Sequence, residues 1–184
     1  MAFTNKDMVL GSGSVYMLKK DAANATMPAI SQIATAANLA GHIQGGFTLS
    51  YKPTYNTDKD DSGIIEKTVM KEEEVKVKFG LVTWNGEFIK KATQTAEIDT
   101  KTNGKRVTEV GGVSKAVMDL YWICFVPDDK DRIEALQVLG LATNGFDLAF
   151  GEKAAKIEPE FDCKPYDEAG HKFKLTETVA AEAG

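Results

Sequence analysis

"LSYKPTYNTDKDDSG", residues 49–63, begins as an amphipathic strand and ends in a cluster of aspartates with no apolar anchor. Just before that cluster, "GGFTLSY" places Phe47, Leu49 and Tyr51 on one face. After it, "EVKVKFG" places Val75, Val77 and Phe79 on one face and Lys76 and Lys78 on the other. Alternation with a period of two marks half-buried strands. Two such strands around an acidic stretch predict a hairpin whose solvated tip is kept open by its like charges. "KEEEVKVK" reads in the same way, as a solvated strand face.

Working outward, "AVMDLYWICFV", Ala116–Val126, is apolar on both faces apart from Asp119. It predicts a central strand covered from both sides, ending at Pro127 in the polar turn "PDDKD". "RIEALQVLGLA" alternates imperfectly, and "GFDLAFG" puts Phe146, Leu148 and Phe150 on one face. "EPEFDCKP" and "HKFKLTE" complete the pattern with Phe161, Cys163, Phe173 and Leu175. The sum is a mainly β chain of about seven to nine strands. "TNGK", Thr102–Lys105, carries the Asn-Gly pair that a two-residue turn prefers, so strands near 94–101 and 105–111 should pair, with a bulge at Gly111 and Gly112. One helix is expected in "WNGEFIKKATQT". Asn85 is its cap, Glu87 lies in its first turn, and Phe88, Ile89 and Ala92 form a stripe to pack on the sheet. Ala22–Ala40, broken by Pro28, reads as loop with a short strand. A flexible arm over about 1–8 and a mobile tail over about 176–184 complete a single domain spanning 1–184.

A chain of 184 residues can bury roughly 70% of its unfolded surface without a staple. Its 27 acidic and 22 basic residues give a net charge of −5, which argues against gripping nucleic acid through phosphates. Cys124 and Cys163 both sit in strand patterns and read as small core residues, which suits a reducing compartment. Lys6 and Asp7 interrupt the N-terminus before any apolar run reaches signal-peptide length, and nowhere do about 18 apolar residues run together. A soluble, unexported chain is expected, which makes the Asn24-Ala25-Thr26 sequon accidental.

No constellation for catalysis emerges. His42 and His171 are the only histidines and have no cysteine at ligand spacing, so zinc is not expected; both cysteines sit in strand patterns that imply burial, which disfavours the thiolate of a Cys-His nucleophile pair. "GSGSVYMLKK" lacks the third glycine of a dinucleotide fingerprint and the lysine of a phosphate loop. Asp58, Asp60, Ser62, Gly63 and Glu66 match positions of a calcium loop, yet Val69 stands where the closing bidentate glutamate is required. No cofactor is expected.

"GHIQGGFTLSYKPTYNTDKDDSGIIEKTVMKEEEVKVKFGLVTWN", residues 41–85, resembles the core of the major tail tube proteins of long-tailed bacteriophages with non-contractile tails. "NGKRVTEVGG", "YWICFVPDD", "GFDLAF" and "PEFDCKPYDEAG" follow in the order and at the intervals of such proteins, so the resemblance covers roughly residues 9 to 175. It implies a β-sandwich or barrel-like subunit with one helix at its side and a long extended hairpin. Such subunits form hexameric rings that stack into a hollow tube around a tape-measure protein, with tail-tip and tail-terminator proteins at the ends. DNA passes through the lumen without specific binding. The expected location is the virion tail, with the host cytoplasm as the site of assembly. By analogy Leu49–Phe79 supplies the hairpin, with Tyr51–Ile65 as its tip. The self-assembly residues would be Tyr51, Pro53, Tyr55, Asp58, Asp60, Asp61, Ile65, Thr68, Glu72, Glu74, Lys76 and Lys78. If Lys76 and Lys78 faced the bore, acids such as Glu72 and Glu74 would have to neutralise them. Two alternatives remain: a tube protein of a contractile tail, gene transfer particle or secretion-like system, and a β-barrel module that binds a small ligand inside.

Overall fold

The computed structural model describes residues 11–59, 61, 66–101, 104–112, 118–150 and 155–179. They form nine strands: β1 (Gly13–Lys19), β2 (Leu39–Lys59), β3 (Glu66–Leu81), β4 (Ala96–Lys101), β5 (Lys105–Val110), β6 (Leu120–Pro127), β7 (Ile133–Ala149), β8 (Lys156–Lys164) and β9 (Phe173–Glu177). The helices are α1 (Ile30–Ile33) and α2 (Gly86–Ala92). The chain is mainly β, as its period of two predicts, and its large sheet is antiparallel throughout.

That sheet closes on itself. The meander β1-β2-β3 and the meander β6-β7-β8 meet along β1–β6 and again along β3–β8, so six strands form a barrel-like ring of pairings. The two meanders share a device. In β2, residues 44–46 stand opposite the single residue Gly80, and in β7, residues 143–145 stand opposite Glu160. Gly46 (φ 92°) and Gly145 (φ 71°) supply the positive φ that each bulge needs. Extra residues on one strand bend it and increase its twist, which favours closure of a sheet into a barrel.

Alternation fills the interior. β8 is buried at every second residue, Ile157, Pro159, Phe161 and Cys163. Val77, Phe79, Val15, Met17, Ile123 and Val138 join the same core. Phe125, Phe47, Phe79 and Phe161 stack in series across it, with successive ring centroids 4.9, 5.4 and 5.7 Å apart. Asn85 caps α2, its Oδ1 accepting from the Phe88 amide at 3.1 Å, and Phe88, Ile89 and Ala92 enter this core as the stripe predicts. β4 and β5 pair beside the helix as expected, with Lys101 opposite Lys105; Thr102 and Asn103 of the expected turn lie outside the described set.

β6 is covered from both sides, as expected, but begins at Leu120 rather than Ala116; residues 113–117 lie outside the described set. Its outer face carries Trp122 and Cys124, packed with Ile33, Ala135 and Leu139 in a second core. The lid over that face is the Ala-rich stretch, and here the expectation of loop and strand is corrected. It forms a 3-10 turn at Ala22–Asn24, helix α1 and a second 3-10 turn at Ala36–Asn38. Asp21 caps the first turn, and Trp122 Nε1 donates to the Asn24 carbonyl at 2.9 Å. The Asn24 side-chain nitrogen donates to the Lys19 carbonyl, so the sequon asparagine is a structural brace.

Three other expectations change. Gly111 and Gly112 lie beyond β5 with φ 133° and 89°, so they form a strand exit and not a bulge. Residues 133–142 of "RIEALQVLGLA" and 145–149 of "GFDLAFG" belong to one bent strand, β7. Thr176 and Glu177, expected in the tail, belong to β9, and the Thr178 amide donates to the Arg132 carbonyl at 2.7 Å. Residues 1–10 and 180–184 lie outside the described set.

Candidate assembly surface

The β2–β3 hairpin outruns the barrel. Phe47 faces Phe79, Leu49 faces Val77 and Tyr51 faces Val75, so the two apolar faces that the alternation predicts stand opposite each other. Pairing then continues past the expected end. Pro53 lies opposite Glu73, Tyr55 opposite Met70, Thr57 opposite Thr68 and Lys59 opposite Glu66. The stretch expected to be tip is therefore ladder as far as Lys59, which carries the arm roughly 25–30 Å beyond Tyr51 at the rise of an extended strand. Of the residues expected at the tip, Asp60 and Ile65 lie outside the described set, and Asp61 sits in a turn.

The arm has two unlike faces. Tyr51, Pro53, Tyr55 and Thr68 continue the core-facing side, whereas Asp58, Glu72, Glu74, Lys76 and Lys78 continue the outer one. On the core-facing side Tyr51 Oη contacts Met70 Sδ at 3.8 Å, and the Thr57 and Thr68 hydroxyls are 3.0 Å apart. A Lys59–Glu66 pair at 3.1 Å lies nearest the tip. Partial desolvation and the nearby Glu73 carboxylate raise the Tyr51 hydroxyl above the usual phenol range. Tyr55, Met70 and Val69 are 57%, 49% and 51% exposed, so large apolar side chains stand in water along the arm. Its edges are open as well. Among the described residues β2 has no partner other than β3 beyond His42, and β3 has none other than β2 before Lys76.

Lys76 and Lys78 lie on the outer wall of the barrel and meet a row of acids. Lys76 Nζ is 2.7 Å from Glu74, 3.7 Å from Glu160 and 3.9 Å from Asp162, and Lys78 Nζ is 3.6 Å from Glu158. Glu74 comes from β3 itself, β8 supplies the other acids, and Lys156 shares Glu158 with Lys78. Glu74 raises the Lys76 ammonium above its ordinary value, and Lys156 holds the Glu158 carboxyl below its own. Thr143 Oγ1 (2.7 Å) and Asn144 Nδ2 (3.2 Å), both in the β7 bulge, donate to Asp162 and orient it.

The barrel has a second hairpin. β7 and β8 pair out to Ala149 and Lys156, and Leu81 at the end of β3 stands opposite Ile157 near the start of β8. Because β3 and β8 run antiparallel, the β7–β8 hairpin and the arm leave the barrel at opposite ends. Phe150, on the second hairpin, is 76% exposed.

Chemistry elsewhere is sparse. Burial pushes the thiols of Cys124 and Cys163 up to about 12, which suppresses the nucleophilic thiolate. Among the described residues no group of three His, Cys, Asp or Glu side chains could hold a metal ion, and no helix is long and apolar enough to cross a membrane. The sequence reading left Met70, Val69 and Glu73 out of the assembly set and placed Phe150, which is exposed, on a strand face with Phe146 and Leu148. Adjacent Val69 and Met70 interrupt a charged strand and could have signalled an apolar contact there.

No protein-family model matches the chain, and no curated protein sequence matches it.

Proposed function

We propose that the chain is a structural subunit that assembles with copies of itself into stacked rings forming a hollow tube, of the kind that the sequence resembles in non-contractile phage tails. The arm carries this reading. A closed barrel removes its own edges, so an exposed two-stranded extension with two open edges and apolar side chains is the part suited to strand addition by another copy. An isolated pair of strands is marginal in water, and a neighbour would supply the missing partner. Hairpins at opposite ends favour contact between unlike surfaces, the heterologous type that propagates into rings and stacks. The outer wall supports the conduit role, since lysines already paired with carboxylates offer phosphates little new attraction. Hexameric rings, a tape-measure core, tail-tip and terminator partners, passage of DNA and a place in the virion tail are parts of this proposal. The ligand-binding alternative loses ground to the stacked phenylalanines, which occupy the interior that a ligand would need.

Light scattering and negative-stain electron microscopy across a concentration series test the reading. Rings or tubes of uniform width are expected. A chain that stays monomeric even with tape-measure and tail-tip proteins present would overturn it.

A further inference from the structure

At the base of the arm the sheet divides. The pairing of β3 with β8 stops at Lys76 opposite Asp162. β8 ends with Lys164 opposite Leu139, and β9 takes up the same edge of β7 at the next residue, Phe173 opposite Val138. β8 and β9 are thus one line of pairing interrupted by residues 165–172. The arm departs on one side of the fork, and β7 with β9 departs on the other. A cleft of about 390 Å³ separates them, lined by Tyr51, Met70, Glu73 and Val75 from the arm and by residues 169–173 from the body.

Lys172 spans this fork. Its side chain is only 17% exposed, with Nζ 3.5 Å from the Glu73 carboxylate and donating to the Glu73 backbone carbonyl. A largely buried ammonium needs such partners, and both come from one residue of the arm. The excursion that presents Lys172 is internally braced. His171 Nδ1 lies 2.6 Å from Asp167 Oδ2, the His171 amide donates to Asp167 Oδ1 at 2.9 Å, and the Tyr166 amide donates to the His171 carbonyl at 2.9 Å. One side of the latch is therefore stiff, while the arm it holds has no other strand partner on that edge among the described residues.

We propose that Lys172 is a latch that sets the angle of the arm to the barrel, a positioning residue for the docking of the arm. Its effect on assembly rests on the tube reading, but its hold on the arm does not. Spin labels on Asn56→Cys and Lys174→Cys, one on each side of the fork, report the angle directly, since the native thiols are buried and unreactive. The otherwise native protein should give one narrow distance distribution. Lys172→Met should broaden it, Lys172→Arg should restore it, and Glu73→Gln, which removes only the carboxylate partner, should broaden it less. If Lys172→Met fails to fold, Glu73→Gln decides alone. A distribution unchanged by Lys172→Met, or by Glu73→Gln where it stands alone, overturns the latch. If the distances respond as expected while no variant forms rings or tubes, the latch stands and the tube reading falls.

Discussion

The two halves of the β2–β3 hairpin share strands and a ladder but not an environment. In the barrel half Phe47 meets Phe79 and Leu49 meets Val77, inside a core closed by four more strands. In the arm half Thr57 meets Thr68 and Lys59 meets Glu66, with water on every side except the partner strand. Backbone hydrogen bonds therefore continue where side-chain burial stops. Such a ladder persists because the barrel has already brought the two strands together, although the extra residue Lys71 shifts the register by one between Thr54 and Tyr55. Stability resides in one half and availability for contact in the other.

The largest effect that tests this division is all-or-none. Deleting Asn56–Ser62 should leave a folded barrel that elongates no tubes; normal tube growth by that variant, seen in negative stain, would separate the arm from assembly. Next come the cores. Phe79→Ala, in the barrel half, and Trp122→Ala, under the Ala-rich lid, should each cost about 3–5 kcal/mol in denaturant unfolding, as aromatic truncations in packed cores do. A shift near zero for Phe79 would mean that the barrel half does not anchor the hairpin.

A smaller effect concerns the outer wall. The folded-state pKa of Glu158 lies below its ordinary value of about 4.5, so its contribution is present above that value and is lost as pH falls through the folded pKa. The unfolding midpoint should therefore drop on acidification, and Glu158→Gln should flatten part of that slope. Solvent screens the pair, which limits the change to below about 1 kcal/mol. An unchanged slope would remove the lysine–acid row from the account of stability. Smallest is Val69→Ala on the arm, within about 0.5 kcal/mol in unfolding because the side chain is exposed in the free subunit. The same variant should slow assembly in light scattering. A large loss of stability would show that the arm packs on the barrel rather than standing clear of it.

Much of the strand pattern inside the barrel was legible from periodicity alone. Val75, Val77 and Phe79 face inward because successive side chains alternate in any strand, and Asn85 starts α2 because a short polar side chain satisfies the free amides of a helix start. The arm was legible only in part. Beyond Tyr51 the strand loses its apolar alternation, and "YNTDKD" reads as loop, since nothing local distinguishes a charged ladder from a charged turn. The lid over Trp122 was missed because its helical turns are only three or four residues long, too short to show a period. Lys172 gave no signal, lying 99 residues from the Glu73 carbonyl that it meets.

Although Phe173 and Leu175, read on the same alternation, are exposed, the sequence by itself determined which side chains β3 and β8 bury, where α2 begins, and that the strands on either side of the acidic stretch form a hairpin. These are local consequences of backbone geometry and need no distant partner. Tertiary structure alone decided that two meanders close into a barrel, that their hairpins leave at opposite ends, and that the fork between β3 and β9 is spanned by a lysine. Each of these depends on edges brought together across long stretches of chain, and pairing between remote edges leaves no periodic trace in the residues that make it.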